Sequence, residues 1–171
     1  KVGAIAGDLA GAEDMFALKD LLSRIGATSI DCRQDGARLD PALGRAGYLF
    51  NSSIAGIEQA DAIMLIGTNP RLEAPVLNAR IRKRWRQGGL LVGVIGEKAD
   101  LGYAYNHLGN GPDALAQFTA HPPANKERPM FIIGAGAMAR PDGSAILAAT
   151  AQAAKSLGVV KDGWNGFNIL H

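Results

Sequence analysis

Ala60-Asp61-Ala62-Ile63-Met64-Leu65-Ile66-Gly67-Thr68-Asn69-Pro70 stands about a third of the way along a chain of 171 residues. The run from Ala62 to Ile66 is apolar and of strand length, and it stops at a glycine, where a turn needs freedom in φ. A helical pattern follows from Leu72 to Gln87, in which Leu77, Ile81 and Trp85 form a stripe and Gly88-Gly89 supplies the stop. The same grammar recurs outward in both directions. Apolar runs at Val2 to Ala6, Thr28 to Cys32, Leu90 to Ile95 and Met130 to Ile133 are each of strand length, and Gly96 and Gly134 end the last two as Gly67 ends the central one. Helical patterns lie between and after them: Gly11 to Ile25 with Met15, Leu18, Leu22 and Ile25 at helical spacing, a shorter one over Ile54 to Ala60, and an alanine-rich one from Gly143 to Leu157. Asp142 is placed to cap that last helix and Gly158 to stop it. Strand and helix alternate, so the chain reads as α/β: a Rossmann-like three-layer fold whose mostly parallel sheet has about five strands and helices on both faces. One domain spanning residues 1–171 is the expectation for this length.

Composition narrows the function classes. A hydrophobic fraction of 47% with 20% charged residues is that of an ordinary folded domain. The net charge of +2 argues against nucleic acid as the main partner. No apolar run approaches the roughly 20 residues of a membrane-spanning helix. The one cysteine, Cys32, allows no internal disulfide and cannot by itself hold an iron–sulfur cluster, which normally needs four thiolates; it reads as a small hydrophobe at a strand end. His107, His121 and His171 are far apart and lack metal-ligand spacing, so no metal site is expected. Ser52 and Ser53 have no evident base, and no catalytic residue is assigned. The chain opens at Lys1 on a strand-like run and stops at Ile169-Leu170-His171 without a tail, and it reads as a piece of something larger.

Two stretches break the pattern: Arg33 to Leu49, and Leu101 to Arg128, each interrupted by glycine and proline. In an α/β domain such long connections are usually functional loops or packed surfaces. Ligands of such sheets sit at the carboxyl ends of the strands, which would put Gly7, Gly67, Gly96 and Gly134 on one rim. Gly67-Thr68-Asn69 offers backbone N–H groups and short polar side chains suited to a phosphate at a helix start. On the short motif alone, an ordinary strand-to-helix turn in which Asn69 and Pro70 set the geometry and cap the helix is the favoured reading. Gly134-Ala135-Gly136-Ala137-Met138-Ala139 fits G-x-G-x-x-A, the dinucleotide fingerprint, but Arg140-Pro141-Asp142-Gly143 separates it from the helix, and a tight turn explains its glycines. Arg80, Arg82, Lys83, Arg84 and Arg86 form a basic face on the third helix, either solvated or aimed at ion pairs with another domain or subunit.

The wider pattern adds to this. Asn51-Ser52-Ser53, Ile57-Glu58-Gln59-Ala60-Asp61, Gly67-Thr68-Asn69-Pro70, Ala74-Pro75, Ala79-Arg80 and Gly88-Gly89 resemble the segment of molybdopterin oxidoreductases, formate dehydrogenases included, that lines the molybdopterin guanine dinucleotide pocket. Asn78-Ala79-Arg80-Ile81-Arg82-Lys83, Tyr103-Ala104-Tyr105-Asn106-His107-Leu108-Gly109 and Trp164-Asn165-Gly166-Phe167-Asn168-Ile169-Leu170-His171 resemble, nearly end to end, the family of large iron–sulfur subunits of respiratory complex I. The departures point the same way. The Asp-Pro-Arg turn that contacts the cofactor in the enzymes is Gly96-Glu97-Lys98 here, and Ala37 falls near the position of their metal-ligating cysteine or selenocysteine. The resemblance therefore implies a structural domain with no cofactor or metal of its own, in which Gly67, Thr68, Asn69 and Pro70 are the relic of a cofactor loop, Trp85 is a core anchor, and the Tyr103, Tyr105 and His107 loop is a packing surface. It also implies iron–sulfur clusters elsewhere in the parent protein and peripheral-arm subunits of complex I as partners. The parent would lie on the cytoplasmic side of a bacterial inner membrane, or the matrix side in mitochondria, with no direct membrane insertion. The alternative it leaves is a molybdopterin guanine dinucleotide-binding domain of a formate dehydrogenase-like enzyme.

Overall fold

The computed structural model describes residues 1–7, 9–32, 36–120 and 126–171. It divides into two compact units, Lys1–Ala37 and Arg38–His171.

The first unit is a single β-α-β element. Strand β1 (Gly3–Ile5) leads to helix α1 (Ala12–Arg24) and then to β2 (Ser29–Asp31), which pairs with β1 in parallel, Ala4 opposite Ile30. Leu22 is the buried member of the α1 stripe, and Gly26, at φ 69°, ends the helix as the sequence predicts.

The second unit holds the main sheet. After an irregular 3₁₀ segment come a one-turn helix α2 (Ser53–Gly56), a 3₁₀ turn over Ile57–Gln59, and strand β3 (Ala62–Ile66). The next helical pattern is divided: α3 (Pro70–Glu73) stops at Ala74, and α4 (Pro75–Arg86) begins on a new proline. The break is local, because a proline disfavours helical geometry in the residue before it; Ala74 sits at φ −147°, ψ 72°. Strand β4 (Leu91–Ile95), strand β5 (Asn106–Gly109), helix α5 (Pro112–Ala120) and strand β6 (Pro129–Gly134) follow. Then come α6 (Ala135–Ala139), α7 (Gly143–Ser156), a small hairpin of β7 (Val160–Lys161) and β8 (Trp164–Asn165), and finally β9 (Phe167–Leu170).

The five-stranded sheet has the order β5-β4-β3-β6-β9, with every neighbouring pair parallel. The α/β class and parallel sheet are those expected, but the membership differs. The runs at Val2 to Ala6 and Thr28 to Cys32 pair with each other in the first unit, and their places are taken by β5 and β9. Leu101 to Arg128, read as irregular, supplies both β5 and α5.

Strand register explains the two-sided core. Ile63 stands between Val92 and Met130, and Leu65 between Val94 and Ile132. These side chains pack with Leu77 and Ile81 of α4 on one face, with Trp85 half-buried against the cluster. The alternate residues Met64, Ile66, Phe131 and Ile133 are also buried, and Phe118 of α5 meets Phe131 edge-on at 6.2 Å on that side. A strand covered on both faces has no polar alternate, which is why β3 and β6 read as unbroken apolar runs. Among the described residues no helix is long and apolar enough to cross a membrane.

Ile132 is fully buried in the sheet centre. Truncating it by Ile132→Ala is expected to lower stability by about 2–5 kcal/mol, the range for a core aliphatic that leaves a cavity, as measured by the denaturant midpoint at unchanged slope.

Candidate functional site

Strand order sets where a site can form. From β3 the chain steps outward to β4 and β5, then returns to the other side of β3 as β6 and continues to β9. The connections leaving β3 and β6 therefore diverge at their carboxyl ends, and a crevice opens there. A cleft of about 540 Å³ occupies this position, rimmed by Gly67 to Asn69 and Glu73 after β3, Gly96 to Ala99 after β4, Asn110 and Gly111 after β5, and Gly136, Ala137 and Arg140 after β6.

At the bottom of the crevice the two loops touch. Gly67 lies at φ 57°, and a Cβ built on it would stand 2.5 Å from the Ala137 Cβ. One on Gly134 would stand 2.5 Å from the Gly67 carbonyl oxygen and 2.8 Å from the Thr68 Cβ. Glycine is needed at both positions so that backbone can lie on backbone. Gly67, Gly96 and Gly134 share this end of the sheet as expected, whereas Gly7 follows β1 and belongs to the other unit's sheet. The Gly134 to Ala139 motif becomes the short helix α6, packed against Gly67.

The loop Gly67-Thr68-Asn69-Pro70 ends the central strand, and several of its polar groups are already engaged. The Thr68 hydroxyl donates to Glu73 Oε2 at 2.7 Å and the Asn69 amide donates to Glu73 Oε1 at 2.6 Å. The Arg71 amide donates to Asn69 Oδ1 at 3.2 Å, and the amides of Leu72 and Glu73 both donate to the Asn69 carbonyl. Pro70 has no N–H to offer. A carboxylate from the next turn thus takes two of the donors that could meet a phosphate, in a variant of the reciprocal helix cap. Sequence reading saw the cap in Asn69 and Pro70 but missed Glu73. The signal was present as an acid four residues after Asn69.

The remaining rim carries both signs of charge. Gly96-Glu97-Lys98 after β4 brings both the Glu97 carboxyl and the Lys98 ammonium to the cleft. Arg140 is closed on Asp142, Nε to Oδ1 at 2.8 Å and Nη2 to Oδ2 at 3.0 Å. That pairing holds the Asp142 carboxyl below its usual range, and it corrects the expected helix cap: Asp142 occupies the N-cap position of α7 without bonding its amides. Two carboxyl groups at the rim and the occupied Thr68 hydroxyl and Asn69 amide oppose an anionic pyrophosphate there, while the Lys98 ammonium favours one.

Other predicted residues lie elsewhere. Asn51 and Ser52 stay outside the cleft and fasten the edge strand: Asn51 Nδ2 donates to the Phe167 carbonyl at 2.5 Å, and the Ser52 amide donates to Asn168 Oδ1 at 2.9 Å. Asn168 is fully buried and donates to the carbonyls of Gly166 and Phe131. The expected packing surface is turned inward. Tyr103 is buried and donates to Asn78 Oδ1 at 2.8 Å, Asn78 donates to the Leu101 carbonyl at 3.0 Å, and Tyr105 bonds the Ala99 backbone. His107 Nε2 bridges the Gly96 carbonyl and Asn110 Oδ1, at 2.8 and 3.0 Å, tying two rim loops together. His171 meets the Tyr48 carbonyl, and His121 lies outside the described residues.

The basic face of α4 is directed largely within its own unit. Arg80 and Lys83 pair with Glu58 at 2.6 and 3.1 Å, Arg82 donates to the Gly102 carbonyl, and Arg84 donates to those of Ala60 and Gly88. Arg86 is exposed. Hydrogen bonds from Lys83 and Arg80 hold the Glu58 carboxyl below the ordinary value. Cys32 is an exposed free thiol, contrary to the expectation of a small hydrophobe at a strand end. Ala37 is buried and has no group that could ligate a metal. Among the described residues no cluster of three or more His, Cys, Asp or Glu could hold a metal ion.

Glu73→Ala is expected to speed hydrogen exchange of the Asn69 amide about tenfold, the factor for one net hydrogen bond, while the amides of β3 keep their protection. Burial pushes the Tyr103 phenol well above its ordinary value. A raised folded-state pKa means that its contribution is complete below pH about 10 and is lost as the pH climbs through the folded value. Stability is therefore expected to fall above pH about 10, and Tyr103→Phe should remove that slope. At neutral pH the same change should cost about 1–3 kcal/mol by leaving Asn78 Oδ1 unpaired; denaturant titrations at pH 7 and pH 11 measure both effects.

The model of the molybdopterin oxidoreductase family matches residues 1–171. The chain is 42% identical to the mitochondrial NADH dehydrogenase (ubiquinone) iron-sulfur protein 1 of Solanum tuberosum, over 99% of the chain and 24% of that protein. It is 41% identical to an NADH-quinone oxidoreductase subunit of Rickettsia bellii, over 100% of the chain and 26% of the relative. To the mitochondrial 78 kDa subunit of NADH-ubiquinone oxidoreductase of Neurospora crassa the identity is 39%, over 98% and 24% respectively. The chain spans about a quarter of the length of these curated relatives. Parallel sheet, strand-end crevice and a match over the whole sequence together place this chain in the molybdopterin oxidoreductase family.

Proposed function

We propose that residues 1–171 form a structural, non-catalytic domain within the large iron–sulfur subunit of an NADH:quinone oxidoreductase, respiratory complex I, which passes electrons from NADH toward quinone. The observation that carries this reading is the Glu73 carboxylate seated on the Thr68 hydroxyl and the Asn69 amide. In this reading Gly67, Thr68, Asn69 and Pro70 keep the shape of a cofactor loop while an internal acid takes the part of the ligand. Identities of 39–42% to subunits named for iron–sulfur content and NADH:quinone chemistry support the parent's identity. The family match from end to end supports treating the chain as one domain of that longer subunit.

The iron–sulfur clusters of the parent then lie outside these residues, and the domain's partners are the cluster-bearing part of the same polypeptide and neighbouring subunits of the peripheral arm. With Arg80, Arg82, Lys83 and Arg84 engaged in their own unit, Arg86 is the member of that basic face best placed to reach a partner. The parent sits on the cytoplasmic side of a bacterial membrane or the matrix side of a mitochondrial one.

The test is metal analysis of the native assembly containing this chain. Iron without stoichiometric molybdenum is expected. One molybdenum per chain would reverse the reading in favour of a molybdopterin guanine dinucleotide domain of the formate dehydrogenase kind. Calorimetric titration of the intact subunit with GDP is expected to show no binding at the cleft.

A further inference from the structure

Asparagine is followed by glycine twice in the chain, at Asn110-Gly111 and at Asn165-Gly166. In this pair the backbone nitrogen of the second residue reaches the side-chain amide carbon of the first most readily, because glycine has no Cβ in the path and a wide choice of backbone angles. The fold treats the two pairs differently. Gly166 is buried, its amide donates to the Val159 carbonyl at 2.8 Å, and a Cβ on it would lie 2.2 Å from the Pro129 carbonyl oxygen. Asn165 Oδ1 accepts from the Phe167 amide at 3.1 Å. Nitrogen and side chain are thus both held in place.

Asn110-Gly111 lies on the rim of the cleft, between β5 and α5. Asn110 is exposed, a Cβ on Gly111 would meet nothing within 4 Å, and among the described residues no acceptor takes the Gly111 amide. A neighbouring side chain also activates the pair. His107 Nε2 faces two oxygens, the Gly96 carbonyl at 2.8 Å and Asn110 Oδ1 at 3.0 Å, so this nitrogen bears the hydrogen and donates to both. A donor on Oδ1 draws electron density from Cγ and stabilises the oxyanion that forms when a nucleophile adds there.

We infer that Asn110 is a self-modification site, at which the Gly111 nitrogen and a water molecule convert the side-chain amide to a carboxylate on the cleft rim. The Gly111 nitrogen adds to Cγ, the Cγ–Nδ2 bond breaks, and Nδ2 leaves as ammonia carrying the proton that Gly111 gives up. Water then opens the five-membered imide at either carbonyl, restoring an aspartyl residue or leaving an isoaspartyl one. No electrons are exchanged. The rim gains a carboxylate beside Glu73 and Glu97, and the isoaspartyl product lengthens the backbone between β5 and α5 by one methylene.

Peptide mapping by mass spectrometry tests this on the full-length parent protein, aged at neutral pH and digested in acid so that the products survive. The peptide holding Asn110 is expected to convert from amide to acid, with an isoaspartyl component, at least about tenfold faster than the peptide holding Asn165, whose nitrogen is held by a hydrogen bond. That comparison is made within the unaltered protein and needs no variant to fold. Gly111→Ala, for which the backbone has room, should slow conversion about tenfold by crowding the attack. His107→Phe should also slow it about tenfold, the factor for one net hydrogen bond, and His107→Gln, whose amide can still donate, should recover most of the rate. Equal rates at Asn110 and Asn165, or acid without an isoaspartyl component, would overturn the proposal. So would a rate unchanged by Gly111→Ala, the mark of direct hydrolysis, or one that holds or rises in His107→Phe.

Discussion

Strand β3 has to be paired along both edges and covered on both faces, and the rest of the second unit is arranged around that requirement. Its backbone groups are taken by β4 on one side and β6 on the other, and its side chains alternate between two apolar layers. A chain that satisfies β3 this way must run outward in one direction and then come back to run outward in the other. The return forces a divergence at the strand ends. It also forces two loops into contact at the base of the divergence, and only residues without a side chain let them approach as closely as Gly67 and Gly134 do.

The same divergence makes a cleft, and in many α/β proteins such a cleft is a ligand's place. Here the chain supplies its own acceptor to part of the rim. Glu73 is tethered four residues from Asn69, so its carboxylate reaches the loop donors at a high effective concentration, which a free anion would have to match. Arg140, the cation nearest the α6 side of the rim, is forked onto Asp142. Some of the donors at the end of the strands are thus engaged by neighbours in the sequence.

Much of the fold was legible in the residues. Runs of aliphatic side chains ending in glycine located β3, β4 and β6, and the Leu77 and Ile81 stripe gave the buried face of α4, because those signals are local and periodic. The elements that escaped have weak local signals. Asn106-His107-Leu108-Gly109 contains no β-branched residue, and β9 carries Asn168 at a fully buried position. An asparagine there is tolerable because Ser52, Gly166 and Phe131 satisfy its amide, and two of these three lie far away in sequence. Tyr103 and Tyr105 read as part of a packing surface for the same reason: the partner that accepts the Tyr103 hydroxyl, Asn78, is on another element.

The sequence by itself determined the alternation of strand and helix, the glycine stops, the family resemblance and the lack of thiolates for a cluster. Tertiary structure decided which five strands share a sheet, sending the first two runs to a separate β-α-β unit. It also decided that the loop after β3 is closed by Glu73. Propensity and periodicity act over a few neighbouring residues. Strand partnership and the occupation of a hydrogen-bond donor depend on which groups the folded chain brings within about 3 Å, and that is a property of the whole arrangement.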